Sequence, residues 1–143
     1  MDYAATEPDN ITRFHASNMC FHIDSDTAYI VQPKARSRVV GLYYLSENPP
    51  PPHIRPTTTP KGPILTKFQT IRTVMASAVE AETGPILLNG QQAVPIHTTL
   101  IKMAQPHPPT PINTNSATSY GILTSNMRQT RSNVFDMQFH WMH

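Results

Sequence analysis

Cysteine is nearly absent: Cys20 is the only one in 143 residues. One thiol cannot build a disulfide framework, so a stapled secreted scaffold is excluded and an intracellular setting, cytoplasm or nucleus, is expected. Cys20 lies in an apolar run and reads as a small buried side chain rather than a nucleophile. A long hydrophobic run is missing too. "VVGLYYL" is broken by Gly41 and falls far short of the ~20 residues that cross a bilayer, so no membrane partner is expected. The opening "MDYAATEPDNITRF" is polar and acidic and has no apolar signal core. "DSDTAYIVQPKA" contains neither the glycine turn nor the distal glutamate of a calcium-binding EF-hand loop.

What is present is proline, 15 of them, beside an apolar content of 38%. The length suits one domain with a sizeable core, and the prolines predict much loop. Net charge is only +2, but its distribution is uneven. Residues 1–28 hold Asp2, Glu7, Asp9, Asp24 and Asp26 against Arg13 alone. Residues 34–72 hold Lys34, Arg36, Arg38, Arg55, Lys61, Lys67 and Arg72 against Glu47 alone. A basic stretch beside an acidic one suits a polyanion and a metal. Ordinary clustering on a solvated face gives the same pattern.

Alternation places a first strand over 18–24, with Met19, Phe21 and Ile23 on one face and Cys20, His22 and Asp24 on the other. β-Branched and aromatic residues predict a second strand over 38–46 and a third over 64–74. The prolines between them cannot join a ladder. Ser77, with Glu80 three residues on, forms a capping box that opens a helix. Pro95 should end or kink it, and can start a second helix at its own first position. Gly84 and Pro85 should delay or kink the first helix near Glu82. A short fourth strand over 109–114 and a helix opened by Asn115 or Ser116 complete the order βββααβα, and a last helical face follows over 132–143.

Asp24 and Asp26 share one face of a straight strand, so both could approach one cation; surface acids at a strand end explain the pair equally well. On a helix Glu80 and Glu82 stand about 200° apart, so only one can face a shared site. His22, His140 and His143 lack a third ligand at useful spacing for zinc. Phe139 and Trp141 read as packing residues. Tyr29 and the Lys34, Arg36 and Arg38 cluster could contact a phosphate backbone, which needs positive charge but no base reading.

The segments "MDYAATEPDNITRFHASNMCFHIDSDTAYIVQPKARSRVVGLYYLS", "GPILTKFQTIRTVMASAVEAETG", "AVPI", "PPTPINTNSATSYGILTSN" and "FDMQFHWM" resemble the ribonuclease H region of copia-type retrotransposon polyproteins. The most specific parts are "SDTAY" with "PKARSR", then "SAVEAE" and "FDMQFHW". The resemblance implies a reverse transcriptase upstream, a linker over 1–17, and a ribonuclease H-like domain over 18–143 with a Pro-rich loop at 47–63. The implied fold is α/β: a mixed sheet with strands 1–3 antiparallel, strand 4 parallel to strand 1, and flanking helices. On this reading the chain stops before the family's fifth strand and last helix.

The chemistry implied is hydrolysis of the RNA strand of an RNA–DNA hybrid by two Mg²⁺ or Mn²⁺ ions held about 4 Å apart by carboxylates; the ions clamp the attacking water and the leaving oxygen. Carried over by motif, Asp26 matches the strand-1 aspartate and Glu82, the second acid of "EAE", the helix glutamate. The third carboxylate belongs in a T-D-N motif, where this chain reads Thr114-Asn115-Ser116; Asn115 replaces the aspartate. The fourth belongs beyond His143. Asp136 precedes that region and receives no catalytic role, and Asp24 is displaced by two residues along its strand. Missing ligands remove stabilisation made in the transition state, so little or no cleavage is expected. Two other outcomes follow from the same residues: an active hybrid endoribonuclease completed by other ligands, or a non-catalytic nucleic-acid-binding module.

Overall fold

A computed structural model describes Thr6 and residues 11–48, 62–72, 74–75, 77–105 and 107–124. Most of the 47–63 loop and all of the expected last helix, with Asp136, His140, Trp141 and His143, lie outside the described residues.

The expected antiparallel meander is present as β1 (Cys20–Gln32), β2 (Arg36–Ser46) and β3 (Pro63–Thr70). β1 does not stop near Asp24. It continues through both acids, because β2 supplies a partner from Cys20↔Ser46 to Gln32↔Arg36. The register slips between Ala28 and Gln32. There Ile30 takes φ 53°, and its amide donates to Ser37 Oγ at 3.2 Å. Lys34 and Ala35, at φ 65° and 52°, close the turn into β2; successive positive φ values match the right-handed twist of the strands they join.

β4 (Ile112–Thr114) lies parallel to β1 at the sheet edge, giving the order β3-β2-β1-β4. It is shorter than the expected 109–114 because Pro109 and Pro111 have no amide to give. Pro111 contributes its carbonyl, which accepts from the Ile23 amide at 3.1 Å.

α1 (Ala78–Lys102) corrects the expectation of two helices. Ser77 caps it, accepting from the Glu80 amide at 3.2 Å, and it then runs unbroken past both Pro85 and Pro95. Each proline removes one donor from the i→i−4 ladder. Tertiary burial outweighs that local cost: Ala81, Thr83, Gly84, Pro85, Ile86, Leu87, Asn89 and Ala93 are all buried against the rest of the fold. The observed order is therefore βββαβα among the described residues. α2 (Ala117–Leu123) follows β4. Of the two candidate caps, Ser116 is the one used; its Oγ accepts from the Ser119 amide at 3.1 Å.

The core forms where α1 crosses β1 and β2. Phe21, Ile23, Tyr43 and Ala93 are its centre, with Leu45, Ile96, Leu100 and Ile112 packed around them. Burying each large side chain contributes about 1.5–3 kcal/mol. Beside this apolar cluster Asn89 Nδ2 donates to Ser25 Oγ at 2.9 Å and to the Val40 carbonyl at 3.1 Å. Tyr43 Oη donates to Asn89 Oδ1 at 3.0 Å. Gly41 makes room for this amide: a Cβ there would stand 2.5 Å from Asn89 Oδ1. Among the described residues no helix is long and apolar enough to cross a membrane.

Candidate functional site

The parallel pairing of β1 with β4 ends at Ser25↔Thr114. One residue further on β1 and β4 part, while β1 stays paired with β2, and Asp26 and Asn115 border the gap that opens. α1 passes the same gap with Glu82. Ser25, Asp26, Thr27, Glu82, Thr114 and Asn115 line a polar cleft of about 80 Å³. Crevices at the ends of parallel strands are where such sheets place ligands. The three residues singled out by motif, far apart in sequence, thus line one cleft.

Their hydrogen bonds hold the side chains in defined places. Asp26 Oδ1 accepts from the Thr27 amide at 2.7 Å and from Asn115 Nδ2 at 3.4 Å. Glu82 Oε2 accepts a short bond from the Ser116 hydroxyl. Ser116 therefore has two roles, capping α2 and orienting the Glu82 carboxylate. A second hydroxyl contact, between Thr83 Oγ1 and Ser119 Oγ at 3.2 Å, ties the start of α2 to α1. Sequence reading identified Ser116 as a cap candidate but gave no signal for its contact with Glu82, which depends on the packing of two helices. Asp26 and Asn115 are exposed, and Glu82 is half-buried.

Asp24 is engaged away from the cleft. Its Oδ1 accepts from Tyr44 Oη at 3.0 Å and from Asn113 Nδ2 at 2.7 Å, so it ties β1 to β2 and β4, and it does not line the cleft. His22 is likewise structural: its Nε2 pairs with the Glu47 carbonyl at 2.8 Å, and its ring stacks on Tyr44 at 5.5 Å. Cys20 is buried as expected, and desolvation raises its thiol pKa.

The basic residues lie next to the cleft, along the same two strands. Asp26 pairs with Val40, and Ala28 with Arg38. Arg38 is thus a diagonal neighbour of Asp26 on the same sheet face, a relation that puts the two residues about 7–8 Å apart. Arg36 and Lys34 continue outward from Arg38 into the β1–β2 turn; Lys34 and Arg38 are exposed and Arg36 is half-buried. Across β2, Val40 pairs with Phe68, whose ring is 67% exposed. Sequence reading missed Phe68, because alternation alone did not say which face of β3 would stay open.

A hard divalent cation takes oxygen ligands. The carboxylates of Asp26 and Glu82 and the amide oxygen of Asn115 fit one such ion with water filling the rest of its shell. They do not fit a pair of dications, for which two carboxylates leave much of the charge uncompensated. Among the described residues no group of three or more His, Cys, Asp or Glu side chains comes together. Comparison with protein-family models, with curated proteins and with solved structures finds no match to this chain.

Proposed function

We propose that the chain is a ribonuclease H-like domain of retrotransposon type that binds an RNA–DNA hybrid or related nucleic acid beside a weak Mg²⁺ or Mn²⁺ site, with little or no hydrolytic activity. The observation that carries this reading is the meeting of Asp26, Glu82 and Asn115 in one cleft at the end of the β1–β4 pair. The mixed sheet, with β1 parallel to β4 and antiparallel to β2, is compatible with the expected fold.

Asn115 argues against the active alternative. An amide offers a metal its carbonyl oxygen but no charge, and it already donates its Nδ2 to Asp26. No step through a metal pair follows from this donor set. The nucleic-acid part of the proposal rests on Lys34, Arg36 and Arg38 running from the cleft rim into an exposed hairpin, an arrangement that tracks phosphates rather than reads bases. Titration of a labelled hybrid at several salt concentrations tests it. Each phosphate contact adds about 0.9 to the slope of log K against log salt on B-form DNA. Arg38→Ala should therefore weaken binding and flatten that slope; an unchanged slope in Arg36→Ala, Arg38→Ala and Lys34→Ala alike removes the proposal.

A further inference from the structure

Beyond the cleft β4 no longer flanks β1, whose outer half from Asp26 to Gln32 pairs with β2 alone among the described residues. In a ribbon with one packed face, alternation covers every second side chain. Here it fails. Tyr29, Ile30 and Val31 follow one another along the chain and are 37%, 48% and 54% exposed. Ile30 breaks the alternation with φ 53°, a conformation that β-branched residues rarely adopt, inside the register slip between Ala28 and Gln32. Buried Ser37 holds it there, its Oγ accepting from the Ile30 amide at 3.2 Å. Bulges of this kind re-aim side chains beside functional sites, and a strained residue persists only where its surroundings hold it.

Charge narrows what such a tip can meet. Residues 27–46 contain Lys34, Arg36 and Arg38 and no acid; Lys34 and Arg38 are exposed. Apolar side chains flanked by cations suit a surface that is negative outside and apolar just beneath. A nucleic-acid duplex and an anionic bilayer both answer to that description. Segments that hold anionic lipid carry about 4–8 Lys or Arg, and this hairpin falls short of that. Duplex-deforming proteins instead insert an isoleucine, leucine or similar wedge between base steps while Lys and Arg hold the backbone. A second copy of the chain fits poorly, because a bulge spoils a strand edge for pairing and like charges would meet.

We infer that the β1–β2 hairpin is an apolar wedge: Ile30, with Val31 beside it, enters between adjacent bases of a duplex whose phosphates lie on Lys34, Arg36 and Arg38. The inference rests on the nucleic-acid reading above and adds how the bound duplex is deformed. Ile30 stands four residues beyond Asp26 on β1, roughly 13 Å at the ordinary strand rise, so one duplex spans wedge and cleft together. Such binding favours steps that unstack easily, pyrimidine–purine steps among them, without any contact to base edges.

A hybrid carrying a fluorescent adenine analogue that brightens on unstacking, placed at a pyrimidine–purine step, tests the inference. Anisotropy of the same hybrid, titrated with the full chain at several salt concentrations, reports binding independently. The unaltered chain should brighten the analogue as binding saturates. Ile30→Gly keeps the positive φ without steric cost, so it removes the side chain and not the turn. That variant should bind more weakly, with the salt slope of the unaltered chain and no brightening. Binding with the expected slope but no brightening, or brightening that Ile30→Gly leaves intact, overturns the wedge alone. Failure of the unaltered chain to bind the hybrid at any salt removes the nucleic-acid reading and the wedge together. Binding to phosphatidylserine vesicles in place of the hybrid, lost in Ile30→Gly, overturns the wedge in favour of a lipid surface.

Discussion

Asn115 Nδ2 stands 3.4 Å from Asp26 Oδ1 across the mouth of the cleft, so the residue after β4 neutralises a lone pair that a cation would otherwise use. This contact links the weakness of the candidate metal site to one side chain.

Asn115→Asp should reverse it. Two carboxylates would then face each other, and without metal the fold should lose roughly 1 kcal/mol, the scale of a like-charge pair near 4 Å in water. Mn²⁺ should restore this and more, because a ligand at 100 times its Kd contributes about 2.7 kcal/mol. Thermal unfolding in chelator and in Mn²⁺ checks the prediction: the variant should gain more from Mn²⁺ than the parent chain. Equal gains would show that residue 115 does not reach the ion.

Gly41→Ala should be destabilising by about 1–3 kcal/mol, the range for overpacking. The added Cβ would meet Asn89 Oδ1 at 2.5 Å and Tyr43 Cε2 at 2.9 Å. Asn89→Ala should also destabilise, since it removes the amide that joins Tyr43 Oη, Ser25 Oγ and the Val40 carbonyl. The double variant should lose less than the sum of the two, as the clash with the amide vanishes and only that with the Tyr43 ring remains. Denaturant unfolding of all four chains measures the coupling.

Stability should fall at alkaline pH through Tyr43. Burial raises its phenol pKa from 10.0 to about 12. As pH rises the unfolded chain therefore loses this proton first, and linkage favours unfolding. The contribution is complete below pH 10 and is lost between pH 10 and about 12. Tyr43→Phe should flatten the pH–stability curve over that window when unfolding is followed by circular dichroism.

Phe68→Ala should leave the fold nearly unchanged, because the ring is 67% exposed, yet weaken hybrid binding. Stacking of a base on an aromatic ring is worth about 1–3 kcal/mol. The loss should be independent of salt, unlike that of Arg38→Ala, and fluorescence anisotropy at two ionic strengths separates the two.

Much of this architecture was legible in the chain. The three-strand meander follows from β-branched and aromatic runs, and Asp26, Glu82 and Asn115 follow from motif resemblance. What local reading could not supply was competition between local and tertiary terms. A helix-interior proline costs about 3 kcal/mol by propensity, so Pro95 predicted a break; the buried face of α1 carries the helix through it. Asp24 and Asp26 looked equivalent by alternation. Tyr44 and Asn113 engage the first, whereas the end of β4 exposes the second. Asn89 drew no notice in the sequence, since its partners Ser25, Val40 and Tyr43 come from two other strands.

The most direct test of the central claim is incubation of the purified, folded chain with a labelled RNA–DNA hybrid and Mn²⁺, with Asp26→Asn alongside. The account predicts a bound but uncut hybrid in both samples. Cleavage by the unaltered chain that disappears in Asp26→Asn would contradict it, and would show that Asn115 or a further group completes a working site.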